Sequence, residues 1–246
     1  MKRFWTLLLG SSLLFLTSCF DIIEEVHLKR DGSGKYIVTT DMSGLMSDGF
    51  MKQALEEAVK SESGDLNMNL MDMDSSFTFA NAPEAANLSA ADQKILEKVV
   101  ITMKGSEKEE VLTMGMTVNF DSFAEMEKIA EVMKKVSKDG DGPGAGLMGG
   151  GQFSDFSKMF SMKKKKLFSR TGTSQPLDGL IQDDMKEMMS MMLAGASYKT
   201  IYQMPGKVKK STIPNAEIDG KTVTVEHSML DVINQKVKID GDIKFK

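Results

Sequence analysis

The residue with the most distinctive chemistry in this chain is Cys19, the only cysteine and therefore the only thiol nucleophile. The chain begins with the positive pair Lys2-Arg3, continues with a mainly apolar run over 4–16, and then places the small pair Thr17-Ser18 before the cysteine. A positive start, a short apolar core and small residues are typical of a secretory signal peptide. A membrane-spanning helix would need about 20 apolar residues. The pattern predicts a signal peptide that ends next to Cys19.

The four residues Leu16-Thr17-Ser18-Cys19 resemble the lipobox of bacterial lipoproteins, with leucine three positions before the cysteine. The resemblance implies cleavage before Cys19, thioether attachment of diacylglycerol to its sulfur and acylation of its new amino group. Phe20 follows, at the position where an inner-membrane retention signal would have Asp. We therefore expect the protein to be anchored in the outer membrane and to be either periplasmic or surface-exposed. The membrane is then a partner through the anchor. The alternative is an ordinary signal peptide with a chance cysteine nearby.

The composition excludes some classes of protein. Removal of residues 1–18 takes away two positive charges and shifts the net charge from −4 to −6. A nucleic-acid-binding protein would show a basic stripe, so we expect no nucleic acid partner. Because no second cysteine is present, the mature chain cannot form an internal disulfide. The 22 methionines predict a core in which Met fills irregular gaps.

The hydrophobic pattern predicts one α+β domain over 19–246, with an antiparallel sheet and helices packed on one of its faces. A hairpin is expected to turn at 31–34, and Ile22, Val26 and Leu28 share one face of its first strand. Residues 61–88 are expected to be irregular. The other predicted elements are helices over 47–60, 89–96, 122–138 and 176–194, a hairpin over 99–120, a strand over 163–169, a strand over 198–204, a hairpin over 216–226 and a final alternating run over 237–245. The Gly/Met-rich stretch 138–152 is expected to be a flexible insertion.

Two stretches resemble LppM-type lipoprotein domains. The first is Val26-His27-Leu28 followed by Asp31-Gly32-Ser33-Gly34, and the second joins the strand 198–204 to Pro205-Gly206-Lys207-Val208 and Asp219-Gly220-Lys221-Thr222-Val223. Val225 stands where the family usually has an aromatic residue. The resemblance implies that both ends of the mature chain belong to one sheet. It also implies an envelope lipoprotein domain without enzymatic activity, some relatives of which engage lipids.

The remaining candidate residues give weaker chemical signals. His27 and His227 are the only histidines and are expected at the surface or at strand ends, with no metal and no cofactor bound. Neither a G-x-S-x-G nor an H-E-x-x-H motif occurs, so we predict no enzyme. The run Lys163-Lys164-Lys165-Lys166 could contact anionic headgroups, although lysines that protect an edge strand are the favoured interpretation.

The methionines define an alternative function, because thioether sulfur is a ligand that selects Cu(I). They occur as Met68, Met71 and Met73 and as a cluster over 185–192, in which Met185, Met188 and Met192 have helical spacing. Core packing is the simpler interpretation. The sequence therefore favours a non-enzymatic, membrane-anchored envelope lipoprotein that binds a lipid or a protein of the envelope. A soft-metal (copper) binding protein, or an enzyme whose site forms only in three dimensions, are the alternatives.

Overall fold

The computed structural model describes residues 20–46, 49, 53, 72–136, 158–172, 193 and 195–246. Several predictions fall outside this part of the chain. They concern the signal peptide, Cys19, the helices over 47–60 and 176–194 apart from residues 49, 53 and 193, and the insertion over 138–152.

Twelve strands are described, in two sheets. Their bounds are β1 (Asp21–Leu28), β2 (Gly34–Asp41), β3 (Asp72–Thr78), β4 (Val99–Ser106), β5 (Val111–Phe120), β6 (Phe160–Lys163), β7 (Leu167–Arg170), β8 (Ser197–Gln203), β9 (Val208–Ser211), β10 (Glu217–Asp219), β11 (Thr222–Ser228) and β12 (Gly241–Phe245). The first sheet has the order β10-β11-β8-β1-β2-β5-β4-β3, and the second has the order β6-β7-β12-β9.

The first sheet forms because its strands alternate between apolar and polar residues, and successive side chains of a strand point to opposite faces. Val26 lies opposite Tyr36 on β2 and Tyr202 on β8. Tyr36 in turn lies opposite Val118 on β5. These four side chains are almost fully buried, so one face of the sheet forms the wall of the main core.

The second sheet contributes the other wall of that core. Phe160, Phe168, Ile243 and Phe245 are buried in the same hydrophobic cluster as Val26 and its neighbours on the first sheet. The Phe168 ring lies 5.4 Å from the Tyr202 ring, centroid to centroid, in a tilted arrangement that aromatic pairs favour. The two sheets are therefore joined by one continuous apolar core.

Four α-helices are described: α1 (Ser43–Met46), α2 (Ala90–Leu96), α3 (Phe123–Val136) and α4 (Met229–Ile233). Helix α3 buries Met126, Ile129 and Met133 in the main core. Its start is a variant of the capping box, in which the carboxylate bonds the residue before the cap. The Ser122 hydroxyl accepts from the Glu125 amide at 3.2 Å, and the Glu125 carboxylate accepts from the Asp121 amide at 2.6 Å.

Several sequence predictions are confirmed. The α+β composition is present, the hairpins over 21–41 and 99–120 form, and α2 begins after Ser89, whose hydroxyl accepts from the Asp92 amide at 3.1 Å. The β1 strand pairs in parallel with β8, so segments from near both ends of the mature chain do share a sheet. The placement of all helices on one face stays a prediction.

Three predictions are wrong, and a fourth is right only in part. Residues 72–87 are not irregular, because β3 and two 3-10 helices (Phe79–Asn81 and Pro83–Asn87) lie there. The sheet is not single and wholly antiparallel, since a second sheet exists and β1 pairs in parallel with β8. The expected strand over 163–169 is a hairpin instead, in which β6 ends at Lys163 and β7 begins at Leu167. The final run is shorter than expected, because its strand begins only at Gly241.

Candidate functional site

A buried ion pair connects the two sheets. Glu24 lies on the core face of β1, and Arg170 is the last residue of β7 in the second sheet. The guanidinium donates to both carboxylate oxygens, from Nη1 to Oε1 and from Nη2 to Oε2 at 3.2 Å. Only 3% of each residue is exposed. The fork of the guanidinium therefore meets the carboxylate in the bidentate geometry that such pairs favour.

The three tyrosines of the chain surround this pair. The Tyr198 hydroxyl donates to Glu24 Oε2 at 2.6 Å and accepts from Arg170 Nη2 at 2.9 Å. The Tyr202 hydroxyl accepts from Arg170 Nη1 at 2.7 Å, and the Tyr36 hydroxyl lies 3.5 Å from Glu24 Oε2. Together the five side chains form what we call the Glu24–Arg170 cluster.

The position of the cluster follows from strand register. Glu24 lies opposite Val38 on β2 and opposite Thr200 on β8, so it occupies a core position near the middle of the sheet. The guanidinium carbon of Arg170 also lies 5.6 Å from the centre of the Phe160 ring and 5.9 Å from that of Tyr198. At these distances the ring faces attract the cation.

Burial and charge shift the protonation equilibria of the cluster. Burial raises the pKa of Tyr36 and of Tyr198 well above the usual tyrosine range, and the nearby Glu24 charge adds to the effect. Burial also raises the pKa of Tyr202. For Arg170, burial is the largest single influence and acts to lower the pKa, but the charge of Glu24, the neighbouring Tyr198 and Tyr202 and the hydrogen bond to Glu24 together outweigh it, and the pKa is raised. The tyrosine hydroxyls are thus neutral at ordinary pH.

These groups connect the two sheets, and four of the five side chains are buried while Tyr198 is partly buried. A buried ion pair costs several kcal/mol of desolvation per ion, which is recovered only when geometry and additional hydrogen bonds are good. The tyrosine hydroxyls supply such hydrogen bonds here. Arg170 Nε is the exception, since it is buried without a hydrogen-bond partner. The arrangement fixes how the second sheet sits on the first.

The sequence analysis did not single out the Glu24–Arg170 cluster. A signal was present for Glu24, because it shares the alternating apolar positions of Ile22, Val26 and Leu28. A carboxylate at such a position must find a partner when the strand is buried. The partner lies 146 positions away in sequence, and no local pattern indicates it.

A small cavity lies near the end of β4 and the start of β5. It is lined by Lys104, Leu112, Thr113 and four methionines, Met42, Met73, Met103 and Met114. Met103 lies directly opposite Met114 on the neighbouring strand. The space that the centre of a water-sized sphere can reach is about 10 Å³, roughly enough for one water molecule. The cavity can therefore hold a single atom or ion, and it is too small for an acyl chain.

The other predicted site residues lie apart from one another. His27 is partly exposed on β1, and its Nε2 lies 2.7 Å from Glu25 Oε2. His227 lies near the end of β11 as expected, but it is buried, and its Nε2 has no hydrogen-bond partner. Met73 lines the cavity, whereas Met68, Met71, Met185, Met188 and Met192 lie outside the described residues.

The described residues contain no group of three or more His, Cys, Asp or Glu side chains that could hold a metal ion. In the same part of the chain, no helix is both long enough and apolar enough to cross a membrane.

Comparison with known proteins gives one similar structure. No family model matches the chain, and no curated protein matches it by sequence. Among solved structures, the chain is similar to the folded domain of LppM from Mycobacterium tuberculosis, determined by NMR. The similarity covers 96% of this chain and 95% of that domain, with 8% sequence identity and a TM-score of 0.41.

Proposed function

We propose that this chain is a lipid-anchored lipoprotein of the cell envelope, acylated at Cys19. The observation that carries the proposal is the position of Phe20. This residue packs against two hydrophobic clusters of the fold, one around Leu45 and one around Leu193. Strand β1 begins at the next residue, Asp21. The folded domain therefore starts one residue after the proposed anchor, which holds it close to the bilayer.

The anchor follows from the lipobox resemblance and from simple energetics. Each buried CH₂ contributes about 0.8 kcal/mol, and a single acyl chain binds only marginally. The diacylglyceryl group supplies two acyl chains and the N-acyl group a third, so attachment is stable. We place the anchor in the outer membrane because Phe20 stands where an inner-membrane retention signal would have Asp. The folded domain is then either periplasmic or surface-exposed.

The domain itself is proposed to be of the LppM type and non-enzymatic, and to bind a lipid or a protein of the envelope. Its PGKV segment supports the domain assignment, because it has a defined structural role. A Cβ atom at Gly206 would lie 1.8 Å from the Lys246 carbonyl oxygen. Only glycine fits between these two backbones. The buried charges of the Glu24–Arg170 cluster favour a structural role for the most prominent polar groups of the core.

Radiolabelled palmitate tests the anchor. The wild-type chain should incorporate label and Cys19→Ser should not, since the acceptor thiol is gone. Thr17→Ala is the matched control, because it keeps a small residue before the cysteine and should be labelled like wild type. Equal label in wild type and Cys19→Ser, or none in either, would contradict the anchor.

A second candidate function is Cu(I) binding at the methionine-lined cavity. Four methionines are among the residues that line a space of ionic size, and thioethers select Cu(I). Met103→Leu should weaken Cu(I) binding in competition with a colorimetric Cu(I) chelator, because it removes one sulfur while it keeps volume. Met126→Leu, in the core on α3, should leave binding unchanged. Wild-type protein that takes no Cu(I) from the chelator would rule out this function.

A further inference from the structure

A row of lysines crosses the outer face of the second sheet. Lys163 on β6 lies opposite Leu167 on β7, Leu167 lies opposite Lys244 on β12, and Lys244 lies opposite Lys210 on β9. Residues directly opposite on neighbouring strands share a face. All three lysines are exposed. Adjacent strands are about 4.8 Å apart, so three ammonium groups emerge from one face within a few strand widths.

The turn between β6 and β7 adds three more lysines at one end of this row. Lys164 and Lys165 both have positive φ, 51° and 52°. A two-residue turn of this kind favours Asn-Gly, because residues with a Cβ are strained there. Lys166 follows at the start of the return, and its carbonyl accepts from the Phe245 amide at 3.0 Å. Residues Lys163–Lys166, Lys210 and Lys244 are called the lysine patch below.

No carboxylate neutralises the lysine patch within the described residues. The four strands of the second sheet contain one acidic residue, Asp242, and its Oδ1 accepts from the Ser169 hydroxyl at 2.6 Å. Elsewhere in the described chain, lysines do form ion pairs with carboxylates: Lys98, Lys104, Lys135, Lys199 and Lys236. Lys244 and Lys210 instead face each other, which destabilises a sheet.

Protection of the sheet edges does not account for this pattern. Lysines on edge strands prevent aggregation, and β6 and β9 are the edge strands of the second sheet. Lys244, however, lies on β12, between β7 and β9. Lys164 and Lys165 lie in the turn, where no strand edge is exposed. These three lysines need another explanation, and an anionic partner supplies one.

We propose that the lysine patch binds the phosphate groups of an anionic phospholipid bilayer. Every cation of the patch is lysine, which is a flexible and strongly hydrated point charge. Arginine forks suit the fixed geometry of protein carboxylates, and protein interfaces are enriched in arginine and depleted of lysine. A broad set of ammonium groups on a sheet face instead suits the mobile, closely spaced phosphates of a membrane surface.

The patch lies at the opposite end of the domain from the proposed anchor. A Cβ on Gly32, in the β1–β2 turn, would lie 3.3 Å from the Met162 Cε, next to Lys163. The turn is at one end of β1 and Asp21 is at the other. If Cys19 is acylated as proposed above, attachment at both ends lays β1 along the membrane plane. The binding of the patch to the bilayer does not itself require the anchor.

Vesicle binding tests the patch with the full chain carrying Cys19→Ser, so that no acyl chain contributes. Partitioning is measured onto phosphatidylcholine vesicles and onto vesicles with added phosphatidylglycerol. Any attachment through 1–18, including the charges of Lys2 and Arg3, is the same in every chain compared, so the difference in this ratio between chains reports the lysine patch. The patch variant is Lys163→Gln/Lys210→Gln/Lys244→Gln. The control is Lys94→Gln/Lys108→Gln/Lys128→Gln, three exposed lysines on separate elements without ion pairs in the described structure.

The parent chain should prefer anionic vesicles, and 0.5 M salt should remove the preference. Each lysine near the surface changes the partition coefficient onto anionic vesicles by roughly five-fold. The three substitutions of the patch variant should therefore lower the ratio of anionic to neutral partitioning by up to about 100-fold. The control variant should keep it within a few-fold. The patch variant should melt no lower than the parent chain, because it relieves repulsion. No preference in the parent, a preference in the patch variant equal to that of the parent, or an equal loss in the control would overturn the proposal.

Discussion

Replacement of Glu24 by glutamine removes the counter-charge of Arg170 while it keeps the shape of the side chain. The guanidinium cannot lose its proton in a protein, so it remains as a charge in a site where Arg170 is 3% exposed. The amide of glutamine would also place an NH₂ group where one carboxylate oxygen now accepts from the Arg170 guanidinium, so two hydrogen-bond donors would face each other. Removal of one partner of a buried pair costs about 3–5 kcal/mol. We expect Glu24→Gln to reduce the free energy of unfolding by this amount.

That loss is large, because whole domains are stable by only about 5–15 kcal/mol. For a chain of this size, it corresponds to a drop in melting temperature of roughly 6–20 °C. The assay is urea and thermal unfolding followed by far-UV circular dichroism. Glu25→Gln is the matched control, since Glu25 is the next residue of β1 and, among the residues that the structure describes, pairs with the partly exposed His27. It should change stability by less than about 0.5 kcal/mol.

A double variant separates the charge from the packing. Glu24→Gln/Arg170→Met leaves no net charge in the cluster, and replacement of a buried pair by apolar groups is often nearly neutral. It should therefore recover most of what Glu24→Gln loses. If Glu24→Gln costs no more than Glu25→Gln, the pair is not desolvated and the account of how the sheets are joined is wrong.

Three further results are expected. Tyrosine absorbance of the folded protein should not show ionisation near pH 10, because the pKa of all three tyrosines is raised. Since the unfolded chain releases those protons first, the free energy of unfolding should fall as pH rises above about 10. Normal titration of the tyrosines in the folded chain would contradict this. Gly206→Ala should lower stability by about 2 kcal/mol or more, because its Cβ would lie 1.8 Å from the Lys246 carbonyl oxygen. Gly172→Ala, whose Cβ would make an ordinary 3.4 Å contact, is its control and should be nearly neutral in the same urea titration. Ser122→Ala should cost about 1 kcal/mol in that titration by loss of the cap of α3, and an unchanged midpoint would show that the capping box is not formed in solution.

Local patterns in the sequence predicted the elements that are stabilised locally. The alternating run over 111–120 predicted β5, and the capping spacing of Ser122 and Glu125 predicted the start of α3. Strand β3 was missed because its outward positions are Asp72, Asp74 and Ser76, which makes the segment look like a loop. Its inward side chains pack on β4, which is a tertiary contact that the segment alone does not reveal.

The parts of the candidate sites that depend on long-range pairing were not predictable. Arg170 meets Glu24 only because β7 lies over β1, and this placement depends on the whole core. The hairpin turn at Lys164 and Lys165 lacks the Asn-Gly signal that positive φ usually requires. The cavity brings together methionines from four separate segments, and only Met73 belonged to a cluster visible in the sequence.

The central claim of this account is the anchor at Cys19, and mass spectrometry of the mature N-terminal peptide tests it most directly. The account predicts a peptide that begins at Cys19 and carries a diacylglyceryl group on sulfur together with an acyl group on nitrogen. A detergent-extracted protein whose first peptide begins elsewhere, or begins at Cys19 with a free thiol and a free amine, would contradict it.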